Sequence, residues 1–119
     1  MGAKCRVLIM DDNVDAADTL AEALTLKGYA VRVCYAAVDA LHMAAAERPD
    51  VCILDIGLPE FDGHQLAEAL RAIQGADPVL IALSGRDMPE DIETARSVGF
   101  DRFVAKPAKL ETLVALFPN

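Results

Sequence analysis

Two hydrophobic rhythms alternate along this chain. Five short apolar runs read as β-strands: about Cys5 to Met10, Ala30 to Cys34, Val51 to Leu54, Val79 to Leu83 and Arg102 to Ala105. Longer stretches between them carry helical spacing. From Val14 to Lys27, Val14, Ala17, Leu20, Ala21 and Leu24 fall on one helical face, and Gly28 stands where a left-handed C-cap is expected. A second helix runs from about Val38 to Glu47 and is closed by Pro49. A loop, Gly57-Leu58-Pro59-Glu60-Phe61-Asp62-Gly63, precedes a third helix reaching about Ile73. Asp87 with Glu90 makes an N-terminal capping box and Pro89 suits a first turn, so a fourth helix is expected up to Gly99. A last helix, about Lys109 to Leu116, places Leu110, Leu113, Val114 and Phe117 on one face. The first, third and fourth runs are almost continuously apolar, as strands are when helices cover both sheet faces. With right-handed crossovers the pattern predicts one (βα)5 domain over residues 1–119, built on a doubly wound parallel sheet.

Composition narrows the function. Eleven basic against nineteen acidic residues leave a net charge of -8, which argues against nucleic acid as a direct ligand. No apolar run approaches the roughly 18 residues of a membrane span, and no signal-peptide pattern is present. The expectation is a cytoplasmic protein without membrane insertion. Cys5, Cys34 and Cys52 are odd in number and lie in or beside predicted strands, which reads as small buried hydrophobes in a reducing compartment.

The chemistry sits where the apolar runs stop. Asp11 and Asp12 follow the first, Asp55 the third, Ser84 the fourth and Lys106-Pro107 the fifth. In a parallel sheet these ends converge on one edge, beside a topological switch point. Each residue has a plain reading on its own. Asp12 or Asn13 could cap the first helix, Asp55 could terminate a strand, and a lysine is usually a solvated charge. Gathered together, they read differently. Two carboxylates about 4 Å apart repel by roughly 4 kcal/mol at an effective dielectric near 20, so three call for a cation. A hard ion such as Mg²⁺ satisfies them and keeps positions open for phosphate oxygens. Asp55 is then a candidate nucleophile toward phosphorus, with Lys106 and Ser84 placed to neutralise and orient a phosphoryl group.

The segments Val7-Leu8-Ile9-Met10-Asp11-Asp12-Asn13, Leu54-Asp55-Ile56-Gly57-Leu58-Pro59, Asp62-Gly63, Ala82-Leu83-Ser84-Gly85 and Lys106-Pro107 are each weak signals. In this order and spacing, over essentially the whole chain, they make it resemble a receiver domain of two-component response regulators. The resemblance implies a flavodoxin-like sheet of order 2-1-3-4-5 with Asp55 as phosphoacceptor. It implies Mg²⁺, or Mn²⁺ in its place, ligated by Asp12, Asp55 and the Gly57 carbonyl, with Asp11 acting largely through water. Ser84 and Lys106 would engage the phosphoryl group, and the bond before Pro107 would be cis. Phe103 matches the family's aromatic switch position and reads equally as a core residue. As a phenylalanine it would switch by packing alone.

The function this implies is transfer of a phosphoryl group from phosphohistidine on a sensor histidine kinase or histidine phosphotransfer protein. A change of surface over the fourth helix, fifth strand and last helix would follow, then slow self-catalysed dephosphorylation. A transient homodimer through that surface is a family-level expectation. The Leu54–Pro59 run resembles receivers of hybrid histidine kinases as well as stand-alone regulators, and the reading leans to the former. The main alternative is a degenerate receiver that binds partners without phosphorylation; the presence of every acceptor-site residue speaks against it. An enzyme proper is disfavoured, because the first strand is followed neither by an Asp-x-Asp-x-Thr signature nor by a Gly-rich loop. His42 reads as an ordinary helical residue and His64 as the opening of the third helix. Arg86 and Gly57 flank the expected acyl phosphate.

Overall fold

The computed structural model describes residues 5–55, 63–74, 78–84, 99–106 and 108–118. Five strands and four helices alternate among them: β1 (Arg6–Met10), α1 (Val14–Leu26), β2 (Ala30–Cys34), α2 (Ala37–Glu47), β3 (Val51–Asp55), α3 (Gly63–Gln74), β4 (Val79–Ser84), β5 (Arg102–Ala105) and α4 (Leu110–Ala115). All pairings are parallel, in the order β2-β1-β3-β4-β5. This is the flavodoxin-like, doubly wound arrangement that the pattern and the resemblance led to. The helix expected from Asp87 to Gly99 lies outside the described residues apart from Gly99, whose φ of 114° is left-handed.

Alternation along β1 divides the core. Leu8 and Met10 face α2 and α3, packing with Ala40, Ala44, Ala67 and Leu70. Val7 and Ile9 face α1 and α4, packing with Ala17, Leu24 and Leu113. Every residue of β3 is buried, the mark of a central strand covered on both faces. The helix faces correspond to the spacing read from sequence, with one correction. Val14 is 47% exposed, and the buried stripe of α1 begins at Ala17. Val14 is the first helical residue, at the rim of the sheet, where α1 has not yet closed over the strands.

The helix ends show where local signals suffice. Gly28 takes φ 98° after α1, as its position predicts. Arg48 takes φ 48° after α2 without being glycine, and Arg6 Nη1 reinforces that terminus by donating to the Glu47 carbonyl at 2.7 Å. No helix among the described residues is long and apolar enough to cross a membrane. Cys34 and Cys52 are buried and Cys5 is half-buried, all three as free thiols, so the small-hydrophobe reading fits two and covers the third only in part.

Candidate functional site

The crevice forms between β1 and β3, where successive crossovers leave in opposite directions. The segment after β1 is tightly organised. The Asp11 N–H donates to the Cys34 carbonyl at 3.2 Å, carrying the sheet pattern one residue further. Asp11 Oδ1 accepts from the Asn13 N–H at 3.0 Å, and Asn13 Oδ1 accepts from the Ala16 N–H at 3.0 Å. Asn13 is therefore the N-cap of α1. Capping explains Asn13 and leaves Asp12, which is exposed, unexplained by any helical duty.

β3 delivers Asp55 as its last residue, one strand over, with its side chain 5% exposed. Carboxylate oxygens of Asp11, Asp12 and Asp55 all lie within 4.8 Å of one another. β5 brings in the opposing charge: Lys106 Nζ is 2.6 Å from Asp55 Oδ2 and 3.4 Å from Asp11 Oδ2. Three negative charges against one positive leave the cluster formally at -2. Burial raises the Asp11 carboxyl above its ordinary range, and the neighbouring Asp55 adds to this. The Asn13 amide and the Lys106 charge pull the other way without prevailing. Burial works to lower the Lys106 ammonium, but its hydrogen bond to Asp55 and the charges of Asp55 and Asp11 overcome this and raise it. Lys106 is thus held firmly charged. Its side chain is still 34% exposed, so the bridge has access to water and to a ligand.

The donor set suits a hard cation. Among the described residues it offers three carboxylates, close enough together to share one ion, against the single ammonium of Lys106. Ser84 is the last residue of β4, in register with Ala105, so its backbone reaches the same edge. Phe103 is half-buried and packs against the core on the α2 and α3 side. His42 is exposed on α2 and His64 lies in the first turn of α3. Gly57, Pro59, Asp62, Arg86 and Pro107 lie outside the described residues, and the expected carbonyl ligand and cis bond with them.

Sequence pattern gives no hint of Arg71, whose side chain reaches from α3 to Asp101 at 2.6 Å. Thirty residues separate the pair, and an arginine on an amphipathic helix reads as a solvated charge. The left-handed Gly99 beside it was the nearest available signal.

Comparison with known proteins places this geometry. The profile of the family "Response regulator receiver domain" matches residues 7–117. The response regulator MprA of Mycobacterium avium is 34% identical over 110 residues, which are 92% of this chain and 48% of MprA. MprA of Mycobacterium tuberculosis matches at the same identity. The chain thus spans about half the length of these relatives. Among solved structures, a Burkholderia pseudomallei response regulator with a phosphorylated aspartic acid, a calcium ion and citrate superposes with a TM-score of 0.90. It is 32% identical and covers 98% of this chain and 68% of its own. A CheY-like receiver domain from Methanospirillum hungatei gives 0.85 at 25% identity, covering 92% and 87%. With the profile matched along nearly the whole chain and the sheet order shared with these structures, the chain belongs to the response regulator receiver domains of two-component systems.

Proposed function

We propose that residues 1–119 form one phosphoacceptor receiver domain, with Asp55 as the acceptor. The observation that carries this is the placement of Asp55: buried, at the carboxyl edge of the sheet, within 4.8 Å of two other carboxylates and 2.6 Å from an ammonium. In the reaction, an Asp55 carboxylate oxygen forms the new O–P bond. The P–N bond to the imidazole of a phosphohistidine breaks, and the departing ring takes a proton from solvent. The donor is a sensor histidine kinase or a histidine phosphotransfer protein, cytoplasmic like the domain itself.

Asp11, Asp12 and Asp55, with the Gly57 carbonyl, would hold Mg²⁺ or Mn²⁺; the calcium ion in the Burkholderia relative supports a divalent cation here. When bound, the cation neutralises phosphoryl charge. The remaining work belongs to side chains of this chain. Lys106 gives up part of its bond to Asp55 as the carboxylate oxygen is used, and turns its charge to the phosphoryl oxygens. Ser84 donates to the same group. Phe103, half-buried beside the core, would turn inward as Ser84 moves toward the phosphoryl group, and its movement would carry the change to the surface of the fourth predicted helix, β5 and the last helix. Hydrolysis by water resets the domain. Direct nucleic-acid binding and membrane insertion have no place in this reading, and a transient homodimer is one form its output could take. Of a stand-alone regulator and a domain of a hybrid histidine kinase, the reading favours the latter.

Intact-protein mass after incubation with acetyl phosphate tests this. A Mg²⁺-dependent gain of one phosphoryl group, lost in Asp55→Asn, is the expected result. Labelling that persists in Asp55→Asn moves the acceptor elsewhere. No labelling from acetyl phosphate or from a histidine kinase favours the degenerate receiver.

A further inference from the structure

Among the described residues β5 is an edge strand, four residues long and paired with β4 alone. Lys106 follows its last residue, so the position of the ammonium depends on how far β5 has slid along β4. The strand has little of its own to fix that register. Arg102 and Ala105 are exposed, and only Phe103 and Val104 between them are half-buried. A slip of one residue would exchange the faces of those two side chains.

The register is fixed just before the ladder begins. The Asp101 N–H donates to the Leu80 carbonyl at 2.8 Å, and Asp101 Oδ2 accepts from the Leu80 N–H at 2.8 Å. The carboxylate stands in for a backbone carbonyl and closes one additional rung. Neither Phe100 nor Arg102, shifted opposite Leu80, has a side-chain acceptor to do the same. Arg71 of α3 holds this carboxylate in place. Its Nη2 lies 2.6 Å from Asp101 Oδ2, its Nε and Nη2 donate to the Gly99 carbonyl at 3.1 and 2.7 Å, and its Nη1 donates to the Pro78 carbonyl at 2.8 Å. One guanidinium thus joins the approaches to β4 and β5. Gly99 has two reasons to be glycine: its φ is 114°, and a Cβ would come within 3.0 Å of Arg71 Cγ.

We infer that Arg71 and Asp101 form a register clamp on β5 and are positioning residues for Lys106, roughly 16 Å further along the strand. The clamp itself is independent of function; its role in the reaction rests on the reading of Lys106 given above.

Two measurements test the two halves. Amide hydrogen exchange compares the full chain with Arg71→Met and Asp101→Asn. Faster exchange confined to residues 102–105 and their β4 partners, with β1 and β3 still protected, is expected. Acceleration spread evenly over all strands, or none, overturns the clamp. The Mg²⁺-dependent rate of phosphorylation by acetyl phosphate is then measured for wild type, Arg71→Met, Lys106→Ala and the double variant. Arg71→Met is expected to slow the reaction about tenfold, inside the roughly hundredfold that a 1 Å misplacement can cost, and to add nothing once Lys106 is gone. An equal slowing with and without Lys106 would show that Arg71 acts through general stability, and would overturn the positioning role. Should Arg71→Met fail to fold, Asp101→Asn carries the same cycle, because its amide oxygen still accepts from Leu80 while the charge that holds Arg71 is lost. A wild type that takes up no phosphoryl group refutes the reading of Lys106 and the positioning role with it, whatever the exchange data show.

Discussion

The two edges of the sheet use the same side chains to opposite ends. At the amino edge, Asp50 accepts from the Arg6 N–H at 2.9 Å, and Asp101 accepts from the Leu80 N–H and from Arg71. Each carboxylate there replaces a missing backbone acceptor, and the guanidinium spreads over three oxygen atoms of Gly99, Pro78 and Asp101. At the carboxyl edge, among the described residues, three carboxylates crowd together around a single ammonium. The amino edge is electrostatically closed and the carboxyl edge is left open. Strand direction is what separates them: crossovers and tight turns must be tied down at one end, while the other end presents a crevice where side chains from several strands converge. The closed and the open arrangement thus occupy opposite ends of the same five strands, joined by β5.

A divalent cation should sharpen this contrast most. At about 100 times its Kd, a ligand that binds only the folded state stabilises it by about 2.7 kcal/mol. Urea unfolding with and without Mg²⁺ should show a gain of that order for wild type. In Asp12→Ala the divalent-cation affinity, read with Mn²⁺, should fall by at least about tenfold, which cuts the gain at the same concentration to about 1.4 kcal/mol or less. Asp101→Leu should leave the Mg²⁺ gain intact. An Asp12→Ala variant that still gains the full amount would remove Asp12 from the ligand set.

The next effect has the opposite distribution. Asp101→Leu removes the acceptor of the Leu80 N–H and the partner of Arg71, and should cost about 1–3 kcal/mol, with or without Mg²⁺. Asp11→Asn should do the reverse in the absence of a divalent cation. It deletes one of three crowded charges and keeps an oxygen for the Asn13 N–H, so a gain of about 1 kcal/mol is expected by urea unfolding. A loss from Asp11→Asn would mean that the carboxyl edge is already balanced by Lys106, and the contrast between the edges would fail.

How much of this the sequence discloses differs between the same two edges. The carboxyl edge was legible because apolar runs end visibly. Asp11, Asp55, Ser84 and Lys106 each follow one, and parallel strands must bring such ends together. The pairing of β2 with β1 and of β4 with β5 was not readable from periodicity; it came with the resemblance. The amino edge was opaque. Asp50 and Asp101 precede strands, where acids look like ordinary turn residues, and Arg71 joins Asp101 only through tertiary packing. Asn13 is an intermediate case. The helix start was clear, but the choice between Asp12 and Asn13 as its cap needed the 3.0 Å bond from Ala16, and on that choice depends whether Asp12 is available to a metal. Val14 shares the helical spacing of the buried face and yet is exposed, because spacing cannot say at which turn the helix meets the sheet.

The smallest effect at neutral pH comes from the layer between the edges. Cys34 and Cys52 are buried on the same side of the sheet. Burial pushes the Cys34 thiol up to about 11, aided by the charge of Asp39, and pushes Cys52 up to about 12, with Arg71 opposing. Both begin from 9.0 in the unfolded chain. A thiol whose pKa is raised on folding contributes stability that is fully present below pH 9 and is lost as the pH rises toward the folded value, because only the unfolded chain can release the proton in that window. Stability should therefore be insensitive to these thiols at neutral pH and decline from pH 9 upward. Cys34→Ala and Cys52→Ala should each halve the thiol share of the decline between pH 9 and about 11, and only Cys52→Ala should also remove the part from about 11 to about 12, measured by urea midpoints at fixed salt. Lys106, raised above 10.5, adds a loss of the same sign at the carboxyl edge, and Lys106→Ala separates it from the thiols. A decline that survives both cysteine variants and disappears in Lys106→Ala would place the alkaline sensitivity at the open edge and not in the core.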